Sequence, residues 1–291
     1  MTSLERTSDL FVAPSASFAF ASLGSGSRGN ATVVRGDGGC LLIDCGFPLR
    51  TTVERLATLG LSPADVRGVL VTHEHSDHVN GVARLARAHG MPVFTTVGTA
   101  RQVDFSGCEV VPISARRTFV LAGIEVQPVV VPHDAREPVQ FVLSDGSSRL
   151  GVLTDAGHVT PHMIDAYDGV DALMLECNHD PDMLYRGRYP EPLKRRVGGP
   201  HGHLSNAQAL GFLRAVASVR LQKLVLAHLS EQNNLPTMAE GVIRSGIEDF
   251  AGISPEIGLA NQASGYGWTP VSNRARPGAV AIAAAFTAGS D

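Results

Sequence analysis

Thr72-His73-Glu74-His75-Ser76-Asp77-His78 follows the apolar run Val69-Leu70-Val71 and sets four potential metal ligands within six positions at the end of a predicted strand. Buried imidazoles are costly unless paired, and His-rich tracts of this density commonly mean metal. The spacing can serve two neighbouring cations. His73 and His75 can converge on one, while the turn that follows redirects Asp77 and His78 toward the other. The competing reading is a solvated loop that is merely rich in histidine.

Three later apolar runs also end in possible ligands. His133 follows Val129-Val130-Val131-Pro132, Asp155 follows Leu150-Gly151-Val152-Leu153-Thr154, and His228 follows Leu224-Val225-Leu226-Ala227. Each is weak alone, because a lone His after a strand is commonly a hydrogen-bonded loop residue and Asp before Ala-Gly a turn former. In this order, HxHxDH followed by His, Asp and His resembles the metallo-β-lactamase superfamily. The resemblance implies one metal held by His73, His75 and His133, a second held by Asp77, His78 and His228, and Asp155 between them. It also implies an α/β fold, an αββα sandwich of two mixed sheets flanked by helices, built from two similar halves with the site on the rim between the sheets.

Several strings narrow the resemblance to the YycJ/VicX-type branch: Leu23 to Asn30 (LGSGSRGN), Leu42 to Gly46 (LIDCG), Glu176 to Asp180 (ECNHD), Gly202 to Asn206 (GHLSN) and Ala227 to Asn234 (AHLSEQNN). That branch is nuclease-like and related to ribonuclease Z and the cyclic phosphodiesterases of phosphonate metabolism. The implied function is a dinuclear metal-dependent hydrolase of phosphodiester bonds, a nuclease or exonuclease on DNA or RNA. The alternatives are a small cyclic or nucleotide phosphodiesterase, a thioester hydrolase of the glyoxalase type, and a non-catalytic regulatory metalloprotein. All-N/O ligation suits zinc first, with manganese or iron also compatible.

Two cations about 3.5–4 Å apart activate water and stabilise charge on phosphoryl oxygens, so the nucleophile is expected to be water. No GxSxG elbow supports a side-chain nucleophile. Asp77 would orient the water besides binding metal. His203 precedes a helix predicted to be capped by Ser205, and is read as a phosphate contact or proton donor in preference to a helix-start hydrogen bond. Asp44 is expected to brace a ligand imidazole from behind, and His179 is given the same supporting role. Ser25, Ser27 and Asn30 could hold a phosphate in a Gly-Ser-rich loop that would otherwise be a flexible turn. Arg186, Arg188, Lys194, Arg195 and Arg196, interleaved with Tyr185 and Tyr189, form the best local basic cluster and are read as a nucleic-acid contact, against the alternative of a solvated loop. His89, His158 and His162 are read as ordinary helix-end or surface residues.

The composition fits a soluble globular protein. Of 291 residues, 44% are hydrophobic and 18% charged, and no apolar stretch approaches the roughly 20 residues of a membrane span. The first sixteen residues lack the basic start and apolar centre of a secretory signal, so a cytoplasmic location with no membrane association is expected. The net charge of −4 argues against a generally basic duplex binder and leaves only a local basic patch. Cys40, Cys45, Cys108 and Cys177 show no CxxC spacing and are expected as free thiols, Cys45 packed within its strand. The sequence sets no oligomeric state.

Disordered tails are expected at 1–16 and 271–291, with one metallo-β-lactamase domain over 17–270. Strands are predicted at Phe18 to Ala21, Ala31 to Arg35, Cys40 to Asp44, Val69 to Val71, Thr118 to Leu121, Ile124 to Val131, Gln140 to Leu143, Leu150 to Thr154, Ala172 to Leu175 and up to His228. Helices are predicted at Thr51 to Leu59, Val79 to His89 with Gly90 as its stop, Asn206 to about Ser218, and Met238 to Phe250.

Overall fold

The structure, a computed structural model, describes residues 18–248 and 252–272. Fourteen strands in these residues form two seven-stranded sheets. The first contains β1 (Ala19–Gly24), β2 (Ala31–Gly36), β3 (Gly39–Ile43), β4 (Val66–Leu70), β5 (Val93–Thr96) and β6 (Val110–Ile113). The second contains β7 (Phe119–Leu121), β8 (Ile124–Val130), β9 (Val139–Ser144), β10 (Arg149–Leu153), β11 (Ala172–Glu176), β12 (Lys223–Ala227) and β13 (Glu256–Leu259). The last strand, β14 (Tyr266–Pro270), returns to pair with β1. Each sheet has three antiparallel pairings followed by three parallel ones, so the halves repeat in topology what they do not repeat in sequence.

Alternation along the strands builds the layers. In β2 and β3, Val34, Leu41 and Ile43 face the second sheet, whereas Val33 and Leu42 face helices α1 (Leu49–Thr58) and α3 (Val82–His89). The short α2 (Ser76–Val79) lies between these two helices in the chain, and α4 (Val97–Ala100) follows β5. In β11, Ala172 and Met174 face inward while Leu173 and Leu175 pack under α5 (Pro161–Tyr167), α8 (Asn206–Val216) and α9 (Pro236–Glu248). Between α5 and α8 the chain forms α6 (Pro181–Arg186) and α7 (Glu191–Val197). The expected αββα sandwich of two mixed sheets is therefore present. No helix among the described residues is long and apolar enough to cross a membrane.

The pairing directions also place the chemistry. β1, β3 and β4 run the same way, as do β8, β10, β11 and β12. Asp44, the His73–His78 segment, His133, Asp155, Glu176 and His228 all lie at or just beyond the carboxyl ends of these strands, where open α/β sheets place their ligands.

Expected elements shift where tertiary contacts override local pattern. The helix read from Val79 to His89 is broken, because Gly81 donates to Cys45 O (2.7 Å) and a Cβ there would lie 2.0 Å from Phe47 O. The basic segment read against a solvated loop is the helix pair α6 and α7. Strands β5, β6, β13 and β14 had no counterpart in the sequence reading. The tail 1–16 and the helix end at Phe250 lie outside the described residues, as does 273–291. Val271 and Ser272, assigned to the C-terminal tail, instead bond to Phe18 O and Gln222.

Gly46 fixes how closely the first strands approach the ligand loop. A Cβ at Gly46 would fall 1.8 Å from Asp77 O, which accepts from Asn30 N–H (2.8 Å). Gly46→Ala is expected to destabilise the fold by about 2–4 kcal/mol through forced backbone displacement, measured by urea unfolding. A change under about 0.5 kcal/mol would show that this approach is not under constraint.

Candidate metal centre

The loop after β4 holds its ligands by backbone bonds to neighbouring strand ends: Cys45 N–H donates to His78 O (2.8 Å) and Val139 N–H to Thr72 O (3.0 Å). His73 Nε2 lies 3.0 Å from His75 Nδ1, and His133 Nε2 lies 3.2 Å from the same atom. Nitrogen donors about 2.0–2.1 Å from a tetrahedral zinc would be roughly 3.3 Å apart, so this spacing suits one ion. Asp77 Oδ2 lies 3.5 Å from His78 Nε2 and 3.4 Å from His228 Nε2, forming a second converging set. Asp155 joins the two sets. Its Oδ2 is 3.2 Å from His78 Nε2 and its Oδ1 3.9 Å from His133 Nε2. All seven predicted ligands thus come together in clusters consistent with a dinuclear metal site.

Whether the residues fit metal is decided by the far side of each ring. A ligating imidazole needs its other nitrogen committed to an acceptor so that a lone pair points at the ion. His73 Nδ1 approaches Thr72 Oγ1 (2.9 Å), which itself donates to Asp44 Oδ2 (2.7 Å). His75 Nε2 faces Asp134 O (3.3 Å), His78 Nδ1 faces Asp44 Oδ2 (2.7 Å), His133 Nδ1 faces Gly202 O (2.9 Å) and His228 Nδ1 faces Glu176 Oε1 (3.3 Å). Five rings therefore share one tautomeric logic. Asp155 Oδ2 is buried without a hydrogen-bond partner, an arrangement that buried carboxylates avoid unless a cation completes them. The residues fit a pair of divalent ions.

The electrostatics agree. Asp44, Asp155 and Glu176 are buried and Asp77 is half-buried, all four against the same group of histidines. Burial opposes ionisation of Asp77, yet the His78 and His228 charges hold its carboxyl far below the usual range. Burial likewise opposes protonation of His228, but Asp155, Asp77 and Glu176 hold its imidazolium up to about 10. The site concentrates negative charge and demands positive charge. Asp44 and His228 both adopt left-handed backbone (φ 58° and 53°), a conformation costing about 1–3 kcal/mol in non-glycine residues. Both turns aim a side chain into the cluster.

The cavity over these ligands has a volume of about 290 Å³ and is lined on its open side by Ser27, Tyr189, Leu193, Arg196 and His203. His203 Nδ1 faces Glu176 Oε1 at 2.7 Å. Glu176 also accepts from Ala156 N–H (2.9 Å) and Leu204 N–H (3.1 Å) through Oε2, so the carboxylate is fully occupied. Sequence reasoning missed Glu176. Its signal was a single acidic residue terminating the apolar run Ala172 to Leu175.

Other expectations are corrected. Ser25 and Asn30 are buried struts and not phosphate contacts: Ser25 Oγ accepts from His228 N–H (2.9 Å), and Asn30 Nδ2 reaches Asp77 Oδ2 (3.2 Å). Ser27 alone of the three lines the cavity. His179 supports no ligand; it is buried beside Ser205 in a neighbouring cavity. The basic cluster is divided, because Arg196 lines the metal cavity and pairs with Asp134, whereas Lys194 and Arg195 line the neighbouring one. Lys194 is spent on Tyr185 O (2.7 Å) and Glu191 (3.2 Å). Arg186 and Arg188 are exposed and line neither cavity.

Asp44 accepts from Thr72 N–H (2.8 Å), Thr72 Oγ1 and His78 Nδ1, so it orients two of the converging rings. Asp44→Ala is expected to lower affinity for divalent metal by roughly 10- to 100-fold, measured by chelator competition, with native circular dichroism. Unchanged affinity would show that His78 is oriented by other means.

A family model described as a beta-lactamase superfamily domain matches residues 40–229. The chain is 34% identical over 236 residues to the exodeoxyribonuclease YycJ of Bacillus anthracis, covering 79% of this chain and 89% of that protein. It is 32% identical over 231 residues to the exodeoxyribonuclease WalJ of Streptococcus pneumoniae, covering 76% and 85%. Among solved structures, the metallo-beta-lactamase fold protein YhfI from Bacillus subtilis shares the fold with a TM-score of 0.65 at 16% identity, covering 86% of this chain and 98% of that one. With the ligand order, the two-sheet topology and these matches in agreement, the chain belongs to the metallo-β-lactamase superfamily, in its YycJ/WalJ exonuclease-like branch.

Proposed function

We propose that this protein, a metal-dependent hydrolase of phosphodiester bonds, is an exonuclease that trims DNA from its ends. The observation that carries the reading is the convergence of His73, His75 and His133 beside Asp77, His78 and His228, with Asp155 reaching both sets. The preference for DNA and for strand ends rests on the two exodeoxyribonuclease relatives. Zinc is the metal favoured by a His-rich N/O set, with manganese or iron as alternatives. We place its work in the cytoplasm, a reading with which a DNA substrate and the absence of a membrane-crossing helix among the described residues are compatible.

When bound, the two ions would activate water and neutralise phosphoryl charge. The chain's own groups do the rest. Arg196, held at the mouth by Asp134, offers a guanidinium to the incoming phosphate, and Ser27 and Tyr189 complete that wall. As water adds to phosphorus and the P–O ester bond breaks, the leaving oxygen needs a proton. His203 lines the cavity, and Glu176 takes up its Nδ1, so Nε2 is the nitrogen left to donate. Burial opposes ionisation of Glu176, but His203 and His228 hold its carboxyl below the ordinary range, so it stays charged and accepts from the His203 ring, turning Nε2 toward the cavity.

Asp77→Ala is expected to abolish hydrolysis of both bis(p-nitrophenyl) phosphate and end-labelled DNA while leaving circular dichroism unchanged. Activity retained within a few-fold would contradict the assigned chemistry. His203→Ala should lower kcat by roughly 10²–10⁴ and Glu176→Gln should act in the same direction by less, both with KM nearly constant; a pure KM effect would make His203 a binding group. On a panel of labelled strands, wild type should shorten DNA stepwise. Faster trimming of RNA, or internal cuts in a circular single strand, would overturn the proposed substrate or polarity of attack.

A further inference from the structure

Behind α7 lies a second cavity, of about 520 Å³. Leu193, Arg196 and Val197 face the metals' side of that helix, while Glu191, Lys194 and Arg195 face this one. The inner wall is set by the β-bridge between His179 and Ser205 and by Asn206 N–H, which donates to His179 O (2.9 Å). The capping box of Ser205 and Gln208, both in the lining, opens the 11-residue α8 at the same place, so the positive end of its dipole meets the cavity.

His179 belongs to the Glu176–Asp180 string, yet the metal site makes no use of it. It is only 3% exposed, and its Nδ1 has no hydrogen-bond partner, which buried polar atoms ordinarily have. Its Nε2 edge faces Gly198, which lines the same cavity and has no side chain to cover the ring. Burial holds its pKa down to about 4, so the ring is neutral and keeps one N–H for an acceptor. Gln208 Oε1 accepts from Ser205 N–H and Oγ–H (both 2.9 Å), which leaves the amide nitrogen as a second donor. Arg195 is exposed and has no acidic partner among the described residues. Lys194 Nζ is already bonded to Tyr185 O (2.7 Å) and Glu191 (3.2 Å) and lies 6.0 Å from the Tyr185 ring centroid, so the uncommitted charge is that of Arg195. Glu191, the carboxylate in this lining, is neutralised by the same Lys194.

We infer that this cavity is an anion subsite that takes a phosphate group at the N-terminus of α8, held by the Arg195 guanidinium, the Gln208 amide and the His179 ring. A helix N-terminus with a free cation beside it and an unpartnered buried donor behind it is suited to phosphate oxygens. The group can belong to the DNA backbone at a remove from the scissile phosphate or to a released mononucleotide, since both present the same oxygens. Backbone phosphates lie on the outside of a duplex as of a single strand, so the subsite places no demand on strandedness. The first source rests on the nuclease reading; the second does not.

The test uses the metal-loaded enzyme in two arms. In the first, kcat/KM is measured on duplex oligonucleotides in which single backbone phosphates, at successive positions from the end, are replaced by uncharged methylphosphonates. In the second, thymidine 5′-monophosphate inhibits hydrolysis of bis(p-nitrophenyl) phosphate. If a backbone phosphate is the occupant, wild type should lose roughly ten-fold at one replaced position; Arg195→Ala should show that loss on unmodified DNA and no further loss at that position. If a mononucleotide is the occupant, no position should couple to Arg195, and Arg195→Ala should weaken inhibition by thymidine 5′-monophosphate roughly ten-fold. His179→Phe, which keeps a ring without its nitrogens, and Gln208→Ala should act in the same arm as Arg195→Ala. Independent losses at every position together with unchanged inhibition by thymidine 5′-monophosphate would overturn the subsite, as would an equal loss of bis(p-nitrophenyl) phosphate turnover in Arg195→Ala. If wild type hydrolyses bis(p-nitrophenyl) phosphate but no DNA, the nuclease reading fails, and the mononucleotide arm alone decides the subsite.

Discussion

The buried Asp44 carboxylate is the interaction on which the site depends. It accepts from Thr72 N–H, Thr72 Oγ1 and His78 Nδ1, and through Thr72 Oγ1 it also sets the ring of His73. One residue in left-handed backbone at the end of β3 thereby orients a ring in each ligand set. Glu176 plays the matching part from the second sheet, holding His228 and His203. The two halves of the sandwich each contribute one buried carboxylate behind the ligands, as their repeated pairing pattern would suggest.

Between the halves, Ser25 and Asn30 act as cross-ties. The Ser25 hydroxyl accepts from the backbone of His228 and bonds to the Asn30 amide, which reaches Asp77. A loop whose composition resembles a phosphate cradle instead locks the last ligand to the first loop. This explains why both side chains are buried while Ser27, between them, lines the open cavity. α7 plays a comparable double role on the opposite side, since successive faces of one short helix wall two cavities.

Much of this was legible in the sequence because ligands sit at the ends of apolar runs, and a run's end is where a strand delivers its side chain. HxHxDH, His133, Asp155 and His228 were found that way, whereas the two-sheet fold was implied by the family resemblance that their order carries. What was not legible depends on direction and not on identity. Nothing local distinguishes His179, which lines the adjoining cavity, from His203, which faces the metals' side, because the distinction arises from the β-bridge at Ser205. The cations of α6 and α7 read as one cluster in sequence, but helical geometry spreads them over different faces. Glu176 was hidden because a buried acid at a strand end acquires meaning only once His203 and His228 are seen around it. The short β5, β6, β13 and β14 carry too few apolar residues to show a period, and their pairing is set by neighbours distant in sequence.

The central claim is that two ions are held by two sets of donors joined through Asp155. Anomalous diffraction from crystals grown with zinc and measured at its absorption edge tests this most directly. The account predicts two anomalous peaks per chain, one enclosed by His73, His75 and His133 and the other by Asp77, His78 and His228, with Asp155 touching both. A single peak, or peaks outside these side chains, would contradict it.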